Sequence, residues 1–150
     1  MRLYDTDSLL DLDPGPWALD QETSLWSTLD GRVAEPAFLT EKQVWDRWNS
    51  VFITTHEFRR AKWVKGSPNT KGYIRLITGD LSHRVTARAW VPLAEAKPIV
   101  HHVDHDKQNN HVSNLEWVNN SENIQAAYDA GRFSERLRDS RGRFISTRND

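Results

Sequence analysis

Twelve side chains able to hold a cation, move a proton or grip a phosphate crowd residues 101–123: His101, His102, Asp104, His105, Asp106, Asn109, Asn110, His111, Asn114, Asn119, Asn120 and Asn123. Four of the six histidines in the 150-residue chain lie within eleven positions of this stretch. Taken singly each has an ordinary explanation, because Asn and Asp serve loops and helix caps and a lone His is usually a surface or core residue. Together they hold what a hydrolytic metal site needs. A neutral imidazole accepts a proton near pH 7, and imidazole, amide and carboxylate groups ligate divalent ions. Cysteine is absent, which excludes disulfides and thiolate metal sites.

These groups need rigid supports, and the flanking pattern supplies candidates. Residues 98–103 read as a strand, 104–110 as a polar loop and 115–118 as a second, alternating strand. A helix follows, with Ser121 as its N-cap, Ile124, Ala127 and Tyr128 as its apolar side, and Gly131 just past its end. Upstream, a helix opens at Ser82 and is stopped by Pro92. Extended pieces at 61–65 and 72–78 are expected to pair across Gly66-Ser-Pro-Asn-Thr70. Asp30-Gly31 suits a tight hairpin turn between 23–29 and 32–34. Thr40-Glu-Lys-Gln43 reads as a capping box opening a helix over 40–50, which would bury Val44, Trp45 and Trp48. The acidic, Pro-containing first 16 residues read as a poorly ordered extension.

The net charge of −1 hides a strong asymmetry. Residues 1–40 carry 2 basic and 8 acidic side chains, 41–95 carry 10 and 5, and 96–150 carry 8 and 8. Arg132, Arg136, Arg138, Arg141 and Arg143 form a basic tail interleaved with Phe133 and Phe144, suited either to phosphate contact or to a solvated face. Mean hydropathy is −0.73 and no apolar run approaches bilayer length, so neither a membrane partner nor a secretory segment is expected. The absence of cysteine points to the cytoplasm.

The run from His101 to Asn123 closely resembles the HNH nucleases, in particular the homing-type and phage branch, whose motif reads approximately HHxDxxxxNNxxxNLEWxxxxEN. Ser82 to Trp90 is similar to the helix before this motif, Gly72-Tyr73 to the strand before that, and residues 25–33 to a small module often fused ahead of such nucleases. The resemblance implies an α+β fold: a ββα-metal finger at 98–131 within a nuclease domain at 61–131. An extension (1–16), a hairpin-plus-helix DNA-contact module (17–60) and an Arg-rich tail (132–150) would complete the chain. It further implies that His102 is the general base, that His101 and Asn123 bind one Mg²⁺ or Mn²⁺, and that Asn114, with Asp104 and Asn110, supports the finger. Double-stranded DNA would be the partner of a monomer or weak dimer, with no protein partner implied. A finger kept only as a non-catalytic DNA-docking scaffold is the alternative.

Two features of this chain depart from the family pattern. His105 stands where the family commonly has Gly at a sharp turn, although His tolerates the left-handed region better than most residues. His101 stands where some relatives have Asp, which shifts metal preference toward softer ions such as Mn²⁺. Successive residues of a regular strand face opposite ways, so His101 is expected to face Asn123 and His102 to reach the phosphate from the strand's other side. His111 is open between a phosphate contact and a loop-surface role.

Overall fold

A computed structural model describes residues 2–93 and 95–131. The fold is α+β. Eleven strands and two helices follow in the order β1 Arg2–Asp5, β2 Trp17–Asp20, β3 Leu25–Thr28, β4 Val33–Glu35, β5 Ala37–Asp46, β6 Val51–Arg59, β7 Lys62–Trp63, β8 Gly66–Pro68, β9 Ile74–Leu76, α1 Ser82–Trp90, β10 Ile99–His102, β11 Leu115–Val118 and α2 Asn120–Asp129. Short 3₁₀ turns at Asp7–Asp11 and Val112–Asn114 complete the described chain. Every sheet is antiparallel: β1-β5-β6, β2-β3-β4-β7, β8-β9 and β10-β11.

Helix α1 is the pillar that everything near the cluster leans on. Val85, Thr86 and Ala87 are fully buried. Val85 joins Leu25, Val33, Val64 and Leu76 in one apolar core. Ala87 joins Val100 and Leu115 in a second, with Val91 and Trp117 packed on it. Polar contacts set the helix's position along the hairpin, with Thr86 Oγ1 3.0 Å from Ser27 Oγ and Trp90 Nε1 donating to the Ser27 carbonyl at 3.1 Å. Arg88 grips the buried Asp20 carboxylate with two nitrogens at 2.8–3.0 Å. Burial would raise the Asp20 pKa, but its bonds from Arg88 and Thr23 hold it below the ordinary carboxylate value. The helix ends where expected because Val91 precedes Pro92 and is forced into extended backbone.

The helix expected over 40–50 is a strand. Residues 37–46 pair with 51–59 in a ten-by-nine residue ribbon, with Val44 opposite Ile53 and Trp45 opposite Phe52. The β-branched and aromatic run Val51-Phe-Ile-Thr-Thr55 supplies cross-strand partners that outweigh the local capping signal. Val44, Trp45 and Trp48 are therefore exposed, Trp48 by 96%, and form no core. The first residues are likewise structured: β1 pairs with β5, Leu9 is buried, and Ser8 Oγ accepts the Ala37 N–H at 2.8 Å. Segments 61–65 and 72–78 mostly find other neighbours, since β7 pairs with β4, and the supposed linker 66–68 is the strand that pairs with β9. A single bond, Ile77 N–H to the Lys65 carbonyl at 2.9 Å, joins them. The Asp30-Gly31 hairpin is present, with Gly31 at φ +83°. No helix among the described residues is long and apolar enough to cross a membrane. The Arg-rich tail, Arg132 to Arg143 included, lies outside the described residues.

Candidate active site

Strand β10 aligns His101 with Glu116 and His102 with Leu115 of β11, and its burial alternates. Val100 and His102 turn inward, whereas Ile99 and His101 are half-buried beside α2. Helix α2 is started by a capping box in which Asn119 Oδ1 accepts the Glu122 N–H and Glu122 accepts the Asn119 N–H, both at 2.9 Å. Asn119 is thus the cap, not Ser121, because only a Glu three residues on can reciprocate. The capped turn carries Asn123 and, one turn later, Ala127 into a cleft of about 130 Å³ shared with His101, His102, His105, Lys107 and Tyr73. Ile124 and Tyr128, expected on the helix's buried side, are 51% and 56% exposed because Asn123 and Ala127 form the inward face.

His102 is 4% exposed, and its Nε2 lies 3.0 Å from Asn110 Oδ1. An amide oxygen only accepts, so this contact assigns the Nε2 proton and leaves the Nδ1 lone pair open. Asn110 is itself buried and sits on the hairpin turn: a Cβ at Gly31 would come within 2.3 Å of the Asn110 carbonyl oxygen. Val112 N–H donates to the Leu29 carbonyl at 2.9 Å, and Ser82 Oγ donates to the Gly31 carbonyl at 3.0 Å. The hairpin is therefore a buttress under the loop that orients His102.

The loop is tied internally by Asn114, which is buried. Its Oδ1 accepts the Asp104 N–H at 2.9 Å, and its Nδ2 donates to Asp104 Oδ1 and to the Asn109 carbonyl, both at 2.8 Å. Bonds from Asn109 and Asn114 hold the Asp104 carboxyl below its ordinary pKa. His105 occupies the left-handed region at φ +63°, as the turn demands. His111 faces outward and caps the short turn at 112–114, accepting the Ser113 N–H at 3.2 Å through Nδ1.

Three neighbours of the cleft were not singled out by sequence reasoning. Tyr73 and His83 pack on His102, with ring centres 5.9 and 5.0 Å from it. Lys107 Nζ lies 4.7 Å from the Tyr73 ring centre and donates to the Lys71 carbonyl at 2.7 Å, bringing a positive charge to the cleft's rim. No spacing rule links Tyr73 or His83 to the cluster, because they meet His102 only through tertiary packing, and Lys107, inside the polar loop, stands out only through its contact with Tyr73. Burial, with smaller effects from His102, Arg84 and Arg88, pushes the His83 imidazole down to about 3. Its Nδ1 meets no partner among the described residues.

A pH effect on folding follows. His83 stays neutral in the folded chain, whereas an unfolded imidazole protonates below about 6.5, so protons favour unfolding. Stability should fall as pH drops from about 6.5 toward 4.5, above the carboxylate range, by at most about 1.4 kcal/mol per unit from this one group. Urea unfolding across that window should show the slope, and His83→Phe should flatten it; an equal slope in the variant would assign the effect elsewhere.

Residues 80–125, which hold α1, the finger and the start of α2, match a family described as HNH endonuclease. That stretch is similar to the HNH endonucleases in sequence. An uncharacterised HNH endonuclease of Acanthamoeba polyphaga mimivirus is 30% identical over 73 residues, a match covering 44% of this chain and 22% of that protein. The HNH homing endonuclease I-HmuI, solved in a study of its DNA binding and cleavage, superposes with a TM-score of 0.51 at 20% identity. That likeness covers 77% of this chain and 59% of the other, so the shared fold extends beyond the HNH stretch itself.

Proposed function

We propose that the chain is a metal-dependent DNA endonuclease of HNH type, in which His102 is the general base and His101 and Asn123 hold one divalent cation. The observation that carries this reading is the single cleft shared by His101, His102 and Asn123, with His102 Nε2 tied to Asn110 and its Nδ1 left as acceptor. One imidazole nitrogen and one amide oxygen, offered from β10 and α2, suit a hydrated divalent ion that keeps positions for phosphate oxygens. When bound, the ion supplies positive charge to the phosphate and to the departing 3′ oxygen. His102 Nδ1 takes the proton of the attacking water. Asn110 holds the ring's tautomer and accepts from the imidazolium that results. Lys107 at the rim offers a further charge to the phosphate backbone.

Duplex DNA as substrate is supported by the fold shared with a homing endonuclease that binds and cleaves DNA. Mg²⁺ or Mn²⁺ as the cation, a cytoplasmic site of action and a homing or phage setting belong to the same reading. Supercoiled plasmid incubated with the purified chain tests it. With Mg²⁺ or Mn²⁺ the plasmid should be converted to nicked or linear forms, and chelator should stop the conversion. Intact plasmid under all metal conditions, with binding retained, would leave the finger a docking scaffold.

A further inference from the structure

Both residues that depart from the HNH pattern, His101 and His105, line the cleft. His105 stands in a turn closed by its own N–H donating to the His102 carbonyl at 3.0 Å. At φ +63° a side chain costs about 1 kcal/mol relative to Gly, yet this position carries an imidazole. The turn swings that ring back beside His101, with ring centres 5.2 Å apart and planes at 71°. Two imidazoles bonded to one ion through nitrogens at about 2.1 Å have centres roughly 4.6 to 5.3 Å apart for ligand angles of about 90 to 110°. The observed separation falls in that interval. Both rings line the cleft that holds Asn123.

The geometry points to His105 as a third protein ligand of the cation, making the centre a two-imidazole, one-amide site that favours Mn²⁺, Co²⁺ or Zn²⁺ over Mg²⁺. This rests on the metal-binding part of the reading above. Among the described residues that line the cleft none is Asp or Glu, so the set offers imidazole and amide groups and no carboxylate. Imidazole suits the later transition metals, whereas Mg²⁺ prefers carboxylate, carbonyl and water oxygens. Three protein ligands still leave positions for water and phosphate.

The test is metal binding by the full chain without DNA, measured by calorimetry and by the visible spectrum of Co²⁺. The wild-type chain should bind Co²⁺ more tightly than Mg²⁺. His105→Gly should weaken Co²⁺ binding at least about tenfold, the least that losing a direct ligand should cost, and change the Co²⁺ spectrum, while leaving Mg²⁺ affinity within about twofold. Gly suits the turn, so this variant should unfold no earlier than wild type. His105→Asn, which tolerates the turn and offers an amide oxygen, should fall between the two. Absence of Co²⁺ binding in wild type, or unchanged Co²⁺ affinity and spectrum in His105→Gly, overturns the assignment. Plasmid cleavage judges the hydrolase reading separately: a wild-type chain that cuts while His105→Gly binds Co²⁺ normally sinks only this inference. Weakened Co²⁺ binding in a chain that never cuts sinks only the other.

Discussion

Replacing His102 by Ala should lower DNA cleavage by about 10³-fold, within the usual range for loss of a general base, and leave duplex affinity nearly unchanged. The two effects separate because the side chain is 4% exposed and offers DNA little surface, while in the proposed mechanism its Nδ1, left open by the Asn110 contact, takes the proton of water. Single-turnover cleavage and gel-shift titrations on one duplex measure the two quantities. Circular dichroism should still report a folded chain, since β10, β11 and α1 keep Val100, Leu115 and Ala87 as their core. Cleavage within tenfold of wild type would remove His102 from the chemistry. Equal losses of binding and cleavage would instead make it a DNA contact.

Gly31→Ala should be the most damaging single-methyl change. The position has φ +83°, and the added Cβ would lie 2.3 Å from the Asn110 carbonyl oxygen, 2.6 Å from its Cβ and 2.7 Å from its carbonyl carbon. Two of these atoms are backbone, which cannot turn aside as a side chain can. Left-handed strain and overpacking together should cost about 2 to 4 kcal/mol. Gly79 makes the control: it has φ +100° and open space around its would-be Cβ, so Gly79→Ala should lose only the backbone part, about 1 kcal/mol. Chemical denaturation of both variants measures the difference. Gly31→Ala should also cut more slowly than its folded fraction allows, because Asn110 orients His102. Equal unfolding midpoints for the two variants would show that the hairpin does not buttress the loop.

What could be read from the chain alone followed locality. The finger was legible because its second strand alternates, its loop is polar and Gly131 follows its helix, although the cap was read two residues late, at Ser121 instead of Asn119. Helix α1 was legible because Pro92 dictates the backbone of the residue before it. Thr40-Glu-Lys-Gln43 misled because its local preference is helical, whereas its conformation is settled by β6 and β1, which lie outside any short window. The first residues form a strand for the same reason: β1 has no hydrogen-bonding logic without β5. In the site, type and spacing marked only the cluster over residues 101–123, and the resemblance to the HNH nucleases singled out His101, His102 and Asn123 within it. Tyr73 and His83 were not nominated, because they lie outside the cluster and meet His102 only when the chain folds, and Lys107, inside the polar loop, is marked only by its contact with Tyr73.

The central claim is that the His101, His102 and Asn123 cleft hydrolyses a phosphodiester with water as nucleophile and the 3′ oxygen as leaving group. Cleavage of a defined duplex in ¹⁸O-labelled water, with Mn²⁺ present and the product ends analysed by mass spectrometry, tests it most directly. The expected products are 5′-phosphate ends carrying one ¹⁸O and 3′-hydroxyl ends without label, formed about 10³-fold more slowly by His102→Ala and not at all in chelator. Ends bearing a 3′-phosphate, unlabelled 5′-phosphates, or cleavage by His102→Ala within tenfold of wild type would contradict it.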